Sequence, residues 1–253
     1  MISISTNYGS MFASKAAGAA QKSMNSAMEK LSSGLRINNA KDDAAGQGIA
    51  TRLTAEIMSL NMASRNASDA QSMIDTADGA YQEVHSMLLR MREIAVQASN
   101  GTLSGADRTA LDAEVTALET EITSIADNTT FAGIKLGTGV SVAFQIGTAQ
   151  GVTLTHKFVD FDVSAIGANI AVNSVSTATA ALATIDGAIS TVSANRGTLG
   201  ALSNRLSSTI ANLDNISVNL SSARGRIQDT DFAQETSNLA KSQIMQQAAT
   251  AML

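Results

Sequence analysis

Apolar residues in the first half of the chain recur at helical spacing from Ile49 to Ala95. Every step between them is three or four residues. The positions are Ile49, Leu53, Ile57, Leu60, Ala63, Ala67, Ala70, Ile74, Ala77, Tyr81, Val84, Leu88, Met91 and Ala95. Such a seam is typical of a helix that packs on a partner along its whole length. With a rise of about 1.5 Å per residue, this helix would be roughly 70 Å long.

The signals around this helix predict where it starts and stops. Asp42 and Asp43 stand just ahead of the seam, where carboxylates cap free N–H groups and favour the helix dipole. Asn100-Gly101 predicts a stop with a left-handed cap. Ser104 then predicts the start of a shorter helix. Its apolar face comprises Leu111, Val115, Leu118, Ile122 and Ile125.

A second seam occupies the C-terminal half of the chain. It comprises Leu182, Ile185, Ile189, Val192, Leu199, Leu202, Leu206, Ile210, Leu213, Ile216, Leu220, Ala223 and Ile227. We expect it to pair with the first seam, because two long apolar stripes bury each other best. Arg196 interrupts the apolar register and predicts a local irregularity there.

Between the helical halves, residues 129–175 change to glycine punctuation and strand-like alternation. Val142, Phe144 and Ile146 alternate with other residues, which predicts one or two β-hairpins. Residues 1–43 carry only scattered apolar positions, with a helix predicted from Ser10 to Leu31. Because this helix buries little by itself, we expect the termini to be disordered in the monomer and to order on assembly.

The predicted fold class is therefore mainly α. It is a long, rod-like antiparallel hairpin of coiled-coil-like helices, with a small β-hairpin region at the centre of the chain. The termini are expected to become helical on assembly.

Composition narrows the function more than length does. The 253 residues include no Pro, Cys or Trp, and only 3% are aromatic. Without Cys, disulfides, thiolate metal sites and cysteine nucleophiles are excluded. The net charge of −5 and the lack of a basic cluster argue against nucleic acid as a partner. No membrane partner is expected either, because no apolar run approaches spanning length.

The ionisable residues do not indicate an enzyme. Lys41-Asp42-Asp43 offers too few ligands for a hard cation and is better explained as a helix start. His85 and His156 stand outside any HExxH arrangement and are interpreted as surface residues. We therefore predict no catalytic residue, no metal and no cofactor.

Several blocks of the chain resemble one protein family. LSSGLRINNAKDDAAGQGIATRL (31–53) resembles the N-terminal signature of the bacterial flagellins. Residues 70–101 resemble the next family block, and TTFAGIKLGTG (129–139) resembles the turn that follows. Residues 199–213 and 219–253 resemble the C-terminal half of the family. Together these ordered blocks cover most of the chain.

The resemblance implies a subunit of the flagellar filament in a short form without large outer domains. It implies an N-terminal inner-core segment (1–43), N-terminal outer-core helices (44–128), a short variable β region (129–175), a C-terminal outer-core helix (176–235) and the start of a C-terminal inner-core helix (236–253). The family usually continues with a further amphipathic helix, so the last segment is expected to be incomplete. The nearest alternative is a hook–filament junction protein, and a more distant one is a secreted coiled-coil adhesin.

The resemblance also implies partners and contact residues. The partners are other copies of the chain, the flagellar export apparatus with its chaperone, and hook-associated and cap proteins outside the cell. From the apolar spacing alone, the residues singled out for the seam between the subunit's long helices are Ile57, Ile74, Leu88, Leu206, Leu213 and Leu220. Arg90, Ile94 and Glu114 match positions that an innate immune Toll-like receptor contacts in the family. The alternative is that Arg90 belongs to an ordinary solvated helix face, with Ile94 at a contact between subunits.

Overall fold

The computed structural model describes residues 7–252, which form a mainly helical protein with two small antiparallel sheets. The elements are α1 (Tyr8–Ser33), α2 (Ala44–Ala98), α3 (Gly105–Asn128), β1 (Thr130–Phe131), β2 (Ile134–Lys135), β3 (Ser141–Gln145), β4 (Thr153–Lys157), α4 (Val175–Gln228) and α5 (Phe232–Ala251). Two compact units are present: unit 1 contains 1–58 and 215–253, and unit 2 contains 59–214. The predicted mainly α class is confirmed.

The start of α2 follows the prediction in part. Asp43 Oδ1 accepts a hydrogen bond from Gly46 N at 2.9 Å, as an N-terminal cap does. Asp42 has a different role, because its Oδ2 accepts from Asn38 N and Asn39 N at 3.3 and 3.0 Å. The prediction that both aspartates cap α2 is thus wrong for Asp42, which closes the turn before the helix.

The end of α2 differs from the sequence prediction. The helix stops at Ala98, and neither Asn100 nor Gly101 has a positive φ, so the predicted left-handed cap is wrong. Arg108 of α3 supplies the cap instead. Its Nε donates to Ala98 O at 2.9 Å and its Nη2 donates to Asn100 O at 2.8 Å. A guanidinium satisfies the carbonyls that a helix end leaves without partners.

The start of α3 agrees with the prediction. Ser104 is the N-cap, and its hydroxyl accepts from Asp107 N at 3.2 Å. Asp107 Oδ2 in turn accepts from Ser104 N at 3.0 Å, which completes a capping box. The hydrogen bond from the Ser104 hydroxyl contributes most to holding the pKa of the Asp107 carboxyl below its usual range, and the Ser104 N–H and the charge of Arg108 lower it further.

In unit 2, α2 and α4 run antiparallel. Ser64 donates to Asp214 at 3.1 Å, and farther along α2 Arg92 donates to Asp186 at 2.6 Å. Arg196 does not distort α4, which is continuous through it, so the predicted irregularity is wrong. Its Nε and Nη2 reach the two carboxylate oxygens of Asp78 at 2.8 and 3.2 Å. A polar seam position is accommodated because the facing helix offers it a charged partner.

The core of unit 2 is built by residues of α2, α3, α4 and the segment that connects β4 to α4. Its largest fully buried side chains include Tyr81, Ile74, Leu88, Met91, Ile122, Phe158, Phe161, Ile185 and Leu206. Tyr81 OH donates to Val159 O at 2.6 Å, and its ring lies 4.7 Å from that of Phe161. Burial raises the pKa of the Tyr81 hydroxyl well above its ordinary value.

Two β-hairpins lie in the central region, as predicted. The β1–β2 turn places Ala132 and Gly133 at φ 48° and 83°, the geometry of a tight hairpin turn. The β3–β4 pair is longer, and Phe144 faces Leu154 across it. The chain then returns along α3, where Ile170 N donates to Glu119 and Val172 N donates to Asp112, each at 2.7 Å.

In unit 1, α1 packs against α5 through small residues. The buried positions of α1 are Ala13, Ala20 and Ala27, which repeat every seven residues, and those of α5 are Ser242 and Ala249. Such residues let two helices approach closely. The helix predicted from Ser10 to Leu31 is confirmed and extends over Tyr8–Ser33. Its disorder in the monomer stays a prediction.

Backbone hydrogen bonds join the segment that follows α1 to the segment between α4 and α5. Leu35 pairs with Asp229 in an isolated antiparallel bridge, and Arg36 N donates to Gln228 O at 2.7 Å. Gly34 ends α1 at φ 71°, a conformation that favours glycine, and its carbonyl accepts from Thr230 N at 3.0 Å. The two ends of unit 1 are thus fastened to each other through the backbone.

One helix among the described residues, α4, is long and apolar enough to cross a membrane by length and composition alone. The expectation that no apolar segment is long enough to span a membrane is therefore wrong for α4 when length and composition alone are considered. Core helices of soluble proteins meet the same criterion, and part of the α4 apolar face is buried in the protein. This is weak support for a membrane partner.

Candidate functional site

The most extensive candidate site is an exposed apolar surface on unit 1. We call it the α1/α5 surface and define it by Tyr8, Met11, Phe12, Met28, Phe232, Ile244, Met245 and Met252, all of which are exposed. Phe12 is 76% exposed and Tyr8 is 74% exposed, values unusual for aromatic rings in a folded protein. Exposed apolar groups at this density indicate a surface that another molecule covers.

The helical pattern explains why these side chains lie outside. The heptad alanines of α1 occupy the stripe that faces α5. Met11 and Phe12, just before Ala13, and Met28, just after Ala27, lie at other angles around the helix and are exposed. On α5, Ile244 has the same relation to the buried Ser242 and Ala249. Met245 lies at heptad spacing between those two residues and borders the groove between the helices, where it is 44% exposed. Both helices therefore use their smallest residues for the intramolecular contact and leave their largest ones free.

Five of the six predicted seam residues are buried within their own units. Ile57 and Leu213 are nearly buried, and Ile74, Leu88 and Leu206 are buried almost completely. Leu220 is only half-buried. The assignment of these six residues to the seam between the two long helices of the subunit stays a prediction.

The predicted receptor-contact residues do not form one exposed group. Arg90 Nη2 lies 2.7 Å from Glu114 Oε1, and its Nη1 lies 3.1 Å from Glu93 Oε2. Both pairs are exposed, and the hydrogen bond with Glu114 raises the pKa of Arg90 most. Ile94, by contrast, is fully buried in the core of unit 2. The expectation that Ile94 shares a contact surface with Arg90 is corrected, since a buried side chain cannot reach a partner.

The other residues weighed for chemistry do not converge on a site. His156 lies in β4 with its ring edge-on to Phe158 at 4.9 Å, and burial lowers its pKa. His85 is half-buried on α2. Asp42 and Asp43 serve the turn and the helix start described above. Within residues 7–252, no group of three or more His, Cys, Asp or Glu side chains could hold a metal ion.

Sequence reasoning missed two sets of polar contacts. The first is the Arg108 cap, and the second is the pair of α3 carboxylates, Asp112 and Glu119, that accept backbone N–H groups of the returning segment. The spacing of Asp112 and Glu119, two turns apart on one face, was a signal that they share a partner. Arg108 gave no comparable signal, because its acceptors are main-chain carbonyl groups, which every residue carries whatever its side chain.

These features define a class of protein before any comparison. A mainly helical chain with a large exposed apolar surface fits a structural protein that associates with other copies of itself. The family profile described as bacterial flagellin N-terminal helical region matches residues 4–141, and that described as bacterial flagellin C-terminal helical region matches residues 182–253. The chain belongs to the bacterial flagellin family.

Individual relatives agree with the family profiles. A flagellin of Halalkalibacterium halodurans is 44% identical over 232 residues, covering 90% of this chain and 85% of that protein. Flagellin A of Vibrio cholerae is 33% identical over 362 aligned positions, covering 100% of this chain and 96% of the relative. That alignment is longer than this chain, so the relative carries inserted residues, in agreement with a short form.

Solved structures show the same fold. A crystal structure of Bacillus cereus flagellin has a TM-score of 0.55 and 32% identity, covering 59% of this chain and 88% of that chain. A putative flagellar hook-associated protein from Vibrio parahaemolyticus has a TM-score of 0.65 over 74% of this chain and 100% of its own. At 16% identity the second likeness concerns the fold alone and does not favour the junction alternative. The protein is a structural subunit of the bacterial flagellar filament, which serves motility.

Proposed function

We propose that the α1/α5 surface is the main contact between copies of this chain in the filament. The observation that carries the proposal is the exposure of Tyr8, Met11 and Phe12 beside the buried alanine stripe of α1. Full burial of one large apolar side chain contributes about 1.5–3 kcal/mol. Burial of a few such residues per subunit is enough to drive polymerisation. An isolated monomer does not gain this free energy, because its side chains stay in water.

Following the resemblance, we assign residues 1–43 and 236–253 to the inner core of the filament and residues 44–128 and 176–235 to the outer core. The surfaces support this assignment, because α1 and α5 expose many of their large apolar residues whereas the core of residues 67–206 buries its own. Seam residues such as Leu88 and Leu206 support the subunit from within, and polymer contacts depend on side chains outside the seam.

Arg90 and Glu114 form the second proposed contact. Their ion pair presents both charges on the outside of α2 and α3, where a neighbouring subunit or a Toll-like receptor could bind it. Arg92 adds a second exposed ion pair, with Asp186 of α4. A partner that covers these pairs removes them from water, which strengthens the attraction within each pair and adds a desolvation cost that new hydrogen bonds to the partner must offset.

Export of the chain is consistent with its chemistry. We propose that it leaves the cell unfolded through the flagellar export apparatus with a chaperone, and is added outside the cell where cap and hook-associated proteins act. The lack of Cys and Pro means that neither disulfide pairing nor slow prolyl isomerisation limits refolding after passage. We propose no enzymatic activity for it.

Seeded growth on short filament fragments, followed by electron microscopy, tests the main contact. Phe12→Ser should abolish elongation, because it removes the most exposed ring of the surface. Phe12→Leu is the matched control and should restore elongation, since it keeps an apolar side chain. Circular dichroism should show equal helix content in both variants. Normal elongation by Phe12→Ser would rule out the α1/α5 surface as the main contact.

A further inference from the structure

The turn between α2 and α3 contains the only Asn-Gly step of the sequence, Asn100-Gly101. Both residues are exposed, and neither belongs to a helix, because α2 ends at Ala98 and α3 begins at Gly105. A Cβ added to Gly101 would meet nothing within 4 Å. The chain at this step is therefore open to solvent and sterically unhindered.

The contacts of Asn100 favour attack on its side chain. Its Oδ1 accepts from Thr102 N at 3.2 Å, which polarises the side-chain carbonyl. The backbone hydrogen bonds described for this turn do not include the Gly101 N–H, which stays available to lose its proton to water. The nucleophile is the Gly101 nitrogen and the electrophile is the side-chain carbonyl carbon of Asn100. The two groups are adjacent, and neither is protected by a helix.

We propose that Asn100 is a site of spontaneous deamidation and that Arg108 directs the product towards isoaspartate. In the first step the Gly101 nitrogen, having lost its proton, forms a bond to Asn100 Cγ. The bond from Cγ to Nδ2 breaks, and ammonia leaves with a proton taken from water. The product is a cyclic imide that joins the side chain of residue 100 to the nitrogen of Gly101.

Water then opens the imide at one of two carbonyl carbons. Addition at Cγ breaks its bond to the Gly101 nitrogen and gives aspartate. Addition at the former main-chain carbonyl carbon breaks the other bond to that nitrogen and gives isoaspartate, with a free α-carboxylate. No oxidant or further reactant is required, because the net reaction replaces the amide by a carboxylate and releases ammonia.

Arg108 distinguishes these two carbonyl groups. Its Nη2 donates to the main-chain oxygen of Asn100 at 2.8 Å, and the residue is only 9% exposed. The second described acceptor, Ala98 O at 2.9 Å, is also a neutral carbonyl. A guanidinium placed there withdraws electrons from the main-chain carbonyl and pairs with the carboxylate that forms on it. The folded turn therefore promotes isoaspartate and then stabilises it.

Incubation of the purified chain at mildly alkaline pH, followed by peptide mapping with fragmentation that separates isoaspartate from aspartate, tests this. We expect product at Asn100, with a several-fold higher ratio of isoaspartate to aspartate in the folded chain than in the same chain in urea. Gly101→Ala should suppress product in both states. Its φ is not positive and its surroundings are open, so helix content should not change. Asn66-Ala67, inside α2, is an internal control that should stay unmodified in the folded chain.

Two results would overturn the proposal. Product that appears only in urea would mean that the turn protects Asn100. Equal ratios in the folded and unfolded chains would mean that Arg108 does not direct the opening of the imide. Arg108→Lys and Arg108→Gln should bring the folded ratio to that of the unfolded chain. If a variant loses its fold, the comparison on the unaltered chain still decides the outcome.

Discussion

The interface between α1 and α5 in unit 1 buries alanines such as Ala13 and Ala20, whereas the core of unit 2 buries large residues such as Tyr81, Phe158 and Leu88. Exposure is reversed on α1, where Phe12 is 76% exposed. Unit 2 therefore gains much of its stability within one chain. Unit 1 holds its largest apolar groups on its outside, where another molecule can cover them.

This difference between the two units suits a protein whose monomer must be folded before it polymerises. A core such as that of unit 2 gives a subunit its fold before any neighbour arrives. A surface such as that of unit 1 gains most of its free energy only on assembly. The free energy of assembly can thus be large, while the fold of unit 2 does not depend on it.

The largest expected effect tests the self-contained core of unit 2. Leu88→Ala should lower the free energy of unfolding by about 2–5 kcal/mol, because it leaves a cavity at a fully buried position. Urea denaturation of the monomer, followed by circular dichroism, measures the loss. The neighbour Leu89 is 44% exposed, so Leu89→Ala is a matched control that should change stability little. Equal losses in both variants would contradict the assignment of Leu88 to the core.

A smaller effect tests the close approach of α1 and α5. Ala20→Leu should destabilise the contact by about 1–3 kcal/mol, because a larger side chain forces the two helices apart. Ala19→Leu adds the same group at an exposed position of the same helix and should be tolerated. Limited proteolysis of unit 1 measures the difference. Similar protease resistance in the two variants would show that the alanine stripe does not set the helix spacing.

Much of this architecture could be predicted from the sequence, because it depends on periodicity. The seams containing Leu88 and Leu206 predict buried helix faces, and Ser104 predicts a helix start. Flagellin blocks along the chain predicted the family, which the comparisons confirm. Periodicity decides which face of a helix is apolar, and that signal is local.

The missed features depend on which parts of the chain meet in space. Arg108 replaces the cap predicted for Gly101 only because α3 turns back beside the end of α2. Arg196 disturbs nothing because Asp78 faces it across the helix pair. Ile94 lies one position before Ala95 of the seam, yet both are fully buried because the core surrounds α2 on more than one side. A single helical stripe cannot predict such enclosure.

The smallest expected effect concerns the segment that returns along α3 in unit 2. Glu119 accepts from Ile170 N at 2.7 Å, and burial raises the pKa of its carboxyl, an effect that nearby Asp112 reinforces. A carboxyl whose pKa is raised by folding contributes stability below its unfolded pKa and loses that contribution as the pH rises through its folded pKa. The stabilising contribution of Glu119 should therefore decrease slightly as the pH rises across this mildly acidic window.

Glu119→Gln isolates that contribution, because the amide oxygen can still accept from Ile170 N while the charge is removed. Urea midpoints measured at several pH values should show a shallower fall with rising pH in this variant than in the unaltered chain. Glu121→Gln removes a charge from an exposed position of the same helix and should leave the slope unchanged. If Glu119→Gln keeps the full slope, the carboxylate of Glu119 is already well solvated. The returning segment would then be held by the apolar contacts of Phe161 and Val172, which are buried in the unit 2 core whatever the charge on α3.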